Sequence, residues 1–370
     1  MNDFAEKTEA EIRKVMGIDC YLNWLEREGL PVYEGFAVDL FAVPTKPWPR
    51  YDCRGAAVHT AGRGDFVNMF LFEIAPGGAT SPQRHLYEEV FYVLSGHGVM
   101  EVETGPGVKH SFEWGPRSLF AVPLNKRYRL FNGDGKHSAR LVSTTNLPIM
   151  FNLFHKEKFI FENQDDFDER LGESRYFSGE GTFIPVRPGN HMWETNFIPD
   201  VTGIELREVP GRGAGGKNLM LILADGTMHS HIADMPVGTY KKAHRHAADF
   251  HVMCVNGSGY SLLWFEGDKE FKRVDWKEGT VFAPPDQMFH QHFNSCAEPV
   301  RYIATALGSL RYPFTESKRK TWFGGYQTSV KDGGDQIEYA DQDPRIHQMY
   351  VEDARRGGFE VHMSEFIKTV

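Results

Sequence analysis

The sequence predicts an all-β chain made of two copies of one supersecondary unit, with short helices at the edges. Three observations carry that expectation. Glycine (37 residues), proline (20 residues) and aromatic side chains (13%) are frequent enough to favour short strands and tight turns over long helices. Gly77 and Gly238, His85 and His246, Gly96 and Gly257, and Gly98 and Gly259 all stand 161 positions apart (238 − 77), and one fixed offset through a strand-rich segment marks an internal repeat. Helix start and stop signals fall outside the two copies.

The elements follow in order. Residues 1–49 read as an N-terminal helical arm, in which Asp19 caps a helix from Cys20 to Glu28 that Gly29 ends. Residues 50–150 form the first copy: a strand leads from Phe66 to Gly77, a strand pair turns at Gly96-His97-Gly98, and a proline-containing turn after Gly115 closes the unit. Residues 151–204 mix Asp, Glu, Phe and Pro without a period and read as a connector with one strand around Trp193 to Ile198. Residues 205–308 repeat the pattern, with Thr227 to Gly238 as the leading strand, Gly257-Ser258-Gly259 as the turn and Gly279 to Pro285 as the closing segment. Residues 309–370 are a C-terminal extension, where Asp343-Pro344 opens a helix that ends at Arg356-Gly357. Its stripe of Ile346, Met349 and Tyr350 is expected to pack on the outside of a unit or on a second subunit.

Charge and composition narrow the partners. A net charge of −9 argues against nucleic acid or an anionic membrane, both of which reward clustered Lys and Arg. The short basic cluster Lys318-Arg319-Lys320 reads as a solvated loop, and the Gly-rich segment Gly211 to Gly216, without a following Lys-Ser/Thr, as a flexible turn. The N-terminus lacks the basic start and apolar core of a signal peptide, no run approaches the length needed to span a bilayer, and Cys20, Cys53, Cys254 and Cys296 form no CxxC pair. A cytoplasmic protein with reduced thiols is the expectation.

The chemistry concentrates in the second copy. His244 and His246, two residues apart on a strand, share a face and can reach one ion, while Arg245 points away. His290 follows a second apolar run and supplies the third nitrogen. These residues, in this order, resemble the cupin family, a small β-barrel with the segments G-x5-H-x-H-x3,4-E-x6-G and G-x5-P-x-G-x2-H-x3-N. Gly238, His244, His246 and Gly257 match the first segment, and Gly279, Pro285, His290 and Asn294 the second. The resemblance spans both repeats, so the chain looks like a bicupin of two jelly-roll barrels.

Both copies depart from the pattern. In the first, Gln83 and Tyr128 stand where two His belong, leaving His85 and Glu89, with Gly96, Pro123 and Asn132 marking the frame. That barrel is expected to hold no tight metal. In the second, Phe250 takes the place of Glu; His251 fits the looser spacing as a further ligand only if a bulge turns it inward, and otherwise faces outward. Gln287 takes the place of the second segment's Gly.

Three imidazoles with open coordination positions suit catalysis. The pattern resembles the gentisate and salicylate 1,2-dioxygenase group, which implies Fe(II), dioxygen and a small aromatic or dicarbonyl substrate cleaved oxidatively; Mn, Ni, Cu or Zn are alternative metals. A metal-dependent isomerase, lyase or decarboxylase, or a non-enzymatic small-molecule binding or activator protein, is the competing expectation. His292 is a candidate acid, base or carboxylate anchor beside the metal, or a hydrogen-bonded core residue. Tyr240 and Lys242, in phase with His244, are candidates for the barrel mouth, and His229 and His231 for the same cavity. A homo-oligomer is expected from the bicupin resemblance.

Overall fold

The computed structural model describes residues 8–187, 190–314 and 327–367. Two β-barrels, each of two facing sheets, fill most of it. In the first, the strands Cys53–Thr60, Asn68–Ile74, Ala139–Thr145, Glu89–Ser95 and Leu119–Ala121 lie in that spatial order and face a sheet of Arg127–Asn132, Gly98–Gly105 and Val108–Trp114. In the second, Lys217–Leu223, Met228–Met235, Val300–Leu307, His251–Asn256 and Thr280–Phe282 face Lys272–Lys277, Ser258–Trp264, Phe289–Asn294 and Ala243–His244. Each barrel alternates inward and outward side chains, as Gly98–Gly105 does with its strict alternation of buried and half-buried positions.

The repeat survives at atomic detail. Gly96 and Gly257 adopt left-handed φ of 84° and 75°, where a side chain would strain the turn. A Cβ on Gly98 would lie 1.8 Å from the Phe131 carbonyl oxygen, and one on Gly259 would lie 2.1 Å from that of Phe293, so both strands need bare backbone to pair closely. Gln287, at the expected Gly position, has a left-handed φ of 56°, as Asn125 does at the matching place in the first barrel with 57°. Both non-glycine residues keep the turn that the pattern assigns to Gly.

Short strands tie the barrels together. The arm ends its helix at Gly29 but is not purely helical: Val32–Gly35 pairs in parallel with Cys53–Thr60, and Ala37–Asp39 crosses to pair with Thr280–Phe282 of the second barrel. In the reverse direction Phe197–Ile198, at the end of the connector, adds to the Leu119–Ala121 edge of the first barrel. Between the barrels one apolar core runs through Val58, Met69, Leu71, Val90 and Val142 on one side and Leu221, Ile232, Met253 and Ile303 on the other. Burying that surface joins the units more firmly than a linker would.

The C-terminal extension covers the open side of the second barrel. Asp343 caps a helix over Pro344–Gly357, and its Ile346 and Tyr350 are buried against Tyr240, Tyr260 and Phe293. Ahead of it, Gln336–Ile337 pairs with Ala243–His244 and so extends the sheet that carries the imidazoles. The cluster Lys318-Arg319-Lys320 lies outside the described residues. No helix among the described residues is long and apolar enough to cross a membrane.

Candidate metal centre

His244 and His290 are cross-strand partners, and His246 follows on the same face, so three imidazoles converge inside the second barrel. Each offers a nitrogen within 4.8 Å of the other two. His246 Nδ1 lies 2.8 Å from the Ala247 carbonyl oxygen and His290 Nδ1 lies 3.0 Å from that of Met288. A carbonyl only accepts, so both Nδ1 atoms carry hydrogen and both Nε2 atoms present a lone pair. Burial pushes the His290 imidazole down to about 4 and, together with the Arg212 charge, holds His244 well below its ordinary value. His246 and His290 thus aim neutral Nε2 lone pairs at the point that the neutral His244 ring also faces, a donor set that fits a divalent transition ion.

The surroundings are equally specific. Phe250 stands at the position that Glu89 holds in the first barrel: Thr305 pairs with His251 as Thr144 pairs with Val90. Its ring packs 4.0 Å from that of His246 and closes the side from which a carboxylate would approach. His251 is therefore on the outward phase. Its Nδ1 donates to the Asp249 carbonyl oxygen, and its ring faces Met69, Val90, Thr144 and Thr305 between the barrels, so of the two placements left open the outward one is seen and His251 does not join the three imidazoles.

A cavity of about 50 Å³ adjoins the three imidazoles. His292, His229 and His231 all line it, one of the two placements that the sequence left open for each. His292 Nδ1 is hydrogen-bonded to Ser261 Oγ at 2.8 Å, and Ser261 Oγ accepts from the Trp276 indole at 3.0 Å, which fixes the His292 ring. His229 Nε2 and His231 Nδ1 are 2.8 Å apart.

Tyr240 and Lys242 do not reach the cavity, which corrects their expected place at the barrel mouth. Tyr240 pairs with Phe293 but His244 pairs with His290, so four steps on one strand answer three on the other and an extra residue shifts the phase. Tyr240 is buried against the C-terminal extension, with its hydroxyl bonded to His347 and Gln342, and Lys242 pairs with Glu338 at 2.5 Å. Lys241 faces the cavity instead.

Sequence reasoning also missed Arg212, which lies in the segment read as a flexible turn. Its Nη2 donates to the His244 ring at 3.0 Å and its Nη1 to Gln336 Oε1 at 3.1 Å. The one sequence signal was an arginine flanked by glycines, whose lack of Cβ lets the loop come close. A Cβ on Gly213 would lie 2.3 Å from the Tyr339 hydroxyl.

The first barrel holds the matching positions in another chemistry. Gln83 bridges Tyr128 in the register that His244 and His290 share. Tyr128 donates to Glu89 at 2.8 Å, Ser143 donates to the other Glu89 oxygen at 2.6 Å, and His85 Nε2 lies 3.1 Å from the Tyr128 hydroxyl. Hydrogen bonds thus satisfy the buried polar groups.

Residues 70–145, within the first barrel, match the Cupin domain family. With the second barrel built on the same plan, the fold is a bicupin. Auxin-binding protein T85 of Nicotiana tabacum is 33% identical over 76 residues, covering 19% of this chain and 40% of that protein. Auxin-binding protein T92 of the same plant is 28% identical over 87 residues, covering 22% and 46%. The chain therefore spans less than half the length of these curated relatives. Among solved structures, a single-substitution variant of oxalate decarboxylase from Bacillus subtilis aligns with this chain at 15% identity and a TM-score of 0.49, covering 75% of this chain and 78% of that one. A second structure of the same decarboxylase, described for its Mn(II) centres, gives 15% and 0.48 over the same shares.

Proposed function

We propose that the second barrel is the catalytic centre of a metal-dependent enzyme, with His244, His246 and His290 holding a divalent first-row transition ion. The observation that carries this reading is the convergence of three neutral imidazoles, two with fixed Nε2 lone pairs, at the wall of a cavity. Such an ion supplies Lewis-acid polarisation of a substrate oxygen. The residues around it orient the substrate: Phe250 keeps one side dry, Arg212 places a positive charge against His244, and His292, held by Ser261, offers its free ring nitrogen to a substrate proton.

The size of the cavity favours a lyase, isomerase or decarboxylase acting on a small carbonyl compound. An apolar cavity of roughly 150 Å³ is known to hold benzene, whereas the space beside these imidazoles is about 50 Å³. A substrate of a few heavy atoms suits that space better than a substituted aromatic ring. The ring-cleaving, iron-dependent dioxygenase expected from the sequence pattern is the competing reading, supported by the absence of a carboxylate ligand at Phe250.

The deciding experiment is metal analysis of anaerobically purified protein, then assays of small oxo-acids and of gentisate- and catechol-type compounds with an oxygen electrode. Conversion without oxygen uptake is expected. Stoichiometric oxygen consumption with an aromatic compound would establish the dioxygenase, and a metal-free protein that binds no added ion would overturn both.

A further inference from the structure

We infer that the cavity takes a small carboxylate, with Lys241 as the specificity-determining residue; this deepens the metal-enzyme reading above and rests on it for the placement of the ion. The chain carries a net charge of −9, yet among the described residues this cavity is lined by Arg212, Lys217 and Lys241 and by no Asp or Glu. Cations gathered on a low-dielectric wall concentrate anions against the trend of the whole molecule.

Lys241 is the sharpest of the three. It is 4% exposed, its backbone amide donates to the His292 carbonyl oxygen at 3.0 Å, and its Nζ lies 5.0 Å from the centre of the Tyr302 ring. No carboxylate lies within ion-pair distance of that Nζ among the described residues, whereas its neighbour Lys242 is paired with Glu338. The other lysine that is as deeply buried, Lys126, also 4% exposed, is neutralised by Asp166 and Asp168. Burying a cation against an aromatic face alone is costly, and an anionic ligand removes that cost. A carboxylate suits the space better than a bulkier anion, because the cavity that the imidazoles and Lys241 both line holds only about 50 Å³. One oxygen can face the imidazole group while the other faces Lys241 or Arg212.

The test uses full-length protein loaded with Co(II), with acetate, its neutral isostere acetamide and inorganic phosphate as probes, read by calorimetry and by the visible Co(II) absorption. Acetate is expected to bind about 10-fold or more tightly than acetamide and to bind more tightly than phosphate. Lys241→Met is expected to weaken acetate about 10-fold or more at unchanged Co(II) content, the loss of one charge-assisted hydrogen bond, while Lys241→Arg stays within a few-fold of wild type. Wild-type acetate affinity in Lys241→Met overturns the assignment, as does acetamide or phosphate binding as tightly as acetate to the wild-type protein. That discrimination by the wild-type protein stands as a test even if Lys241→Met fails to fold. Failure to take up Co(II) is a failure of the metal reading instead, and calorimetry of acetate against acetamide on the metal-free protein then decides the role of Lys241 separately.

Discussion

His244 and His290 face one another across a single antiparallel register pair, with their Nε2 atoms 3.2 Å apart. Two neutral imidazoles at that distance share one hydrogen, and under the proposed function a metal ion would replace it as the partner of both. His290→Ala is therefore expected to lower affinity for Co(II) or Zn(II) by at least about 100-fold, more than is typical for losing an outer partner of a ligand. Calorimetric titration and metal analysis check this, and full metal content in the variant would remove His290 from the ligand set.

The first barrel should be silent toward metal but important to stability. Gln83→Ala combined with His85→Ala is expected to leave the metal-to-protein ratio unchanged, because the metal-like positions there hold each other by hydrogen bonds. Loss of half the bound metal would show that barrel to be occupied. Tyr128→Phe removes the donor to the buried Glu89 and is expected to cost roughly 1–3 kcal/mol in urea unfolding, again without a change in metal.

Gln336 and Arg212 make a further prediction. Gln336 belongs to the C-terminal extension but accepts from the guanidinium that touches His244. Gln336→Ala is expected to leave the fold intact and to change metal affinity by about 10-fold, the scale seen for residues that orient a ligand. A variant with wild-type affinity would reduce the extension to a cover.

The interface between the barrels should respond to acid. Burial depresses the His59 imidazole to about 3 and the His251 imidazole to about 4 from an ordinary value of 6.5. The unfolded chain binds those protons first, so the stability from these groups is present above pH 6.5 and is lost as the pH falls toward 4. Asp249 has the opposite sign. Burial raises it to about 6, despite the Gly64 amide that donates to it at 2.7 Å, so its contribution is complete below 3.8 and fades as the pH rises through 6. Urea midpoints of metal-free protein are expected to fall from about pH 7 to about pH 4, with a shallower fall in His59→Gln; equal slopes in the two proteins would rule His59 out.

The proposed ligand set was legible because strand alternation and motif spacing act over short range. Two imidazoles at i and i+2 share a face wherever the strand goes, and the apolar run before His290 together with the second motif segment placed that residue. The same logic placed Phe250 at the Glu89 position and made His229, His231 and His292 candidates for the cavity, beside packed alternatives that it left open. It failed at Tyr240 and Lys242 because one extra residue between Tyr240 and His244 reverses the phase, and alternation counted from the sequence has no sign of a bulge. Arg212 and Gln336 were invisible for another reason. They reach His244 from segments 32 and 92 residues away (244 − 212 and 336 − 244), through packing that no local pattern encodes.

By itself, then, the sequence determined the all-β repeat, the capped helices at Asp19 and Asp343, and the three imidazoles, because periodicity, capping and turn chemistry are local. Only the tertiary structure decided which neighbours face the three imidazoles, that His251 turns to the other barrel while Lys241 turns inward, and how small a space remains beside them. Those outcomes depend on strand register and on the burial of distant surfaces against one another, and both are fixed only when the whole chain has packed.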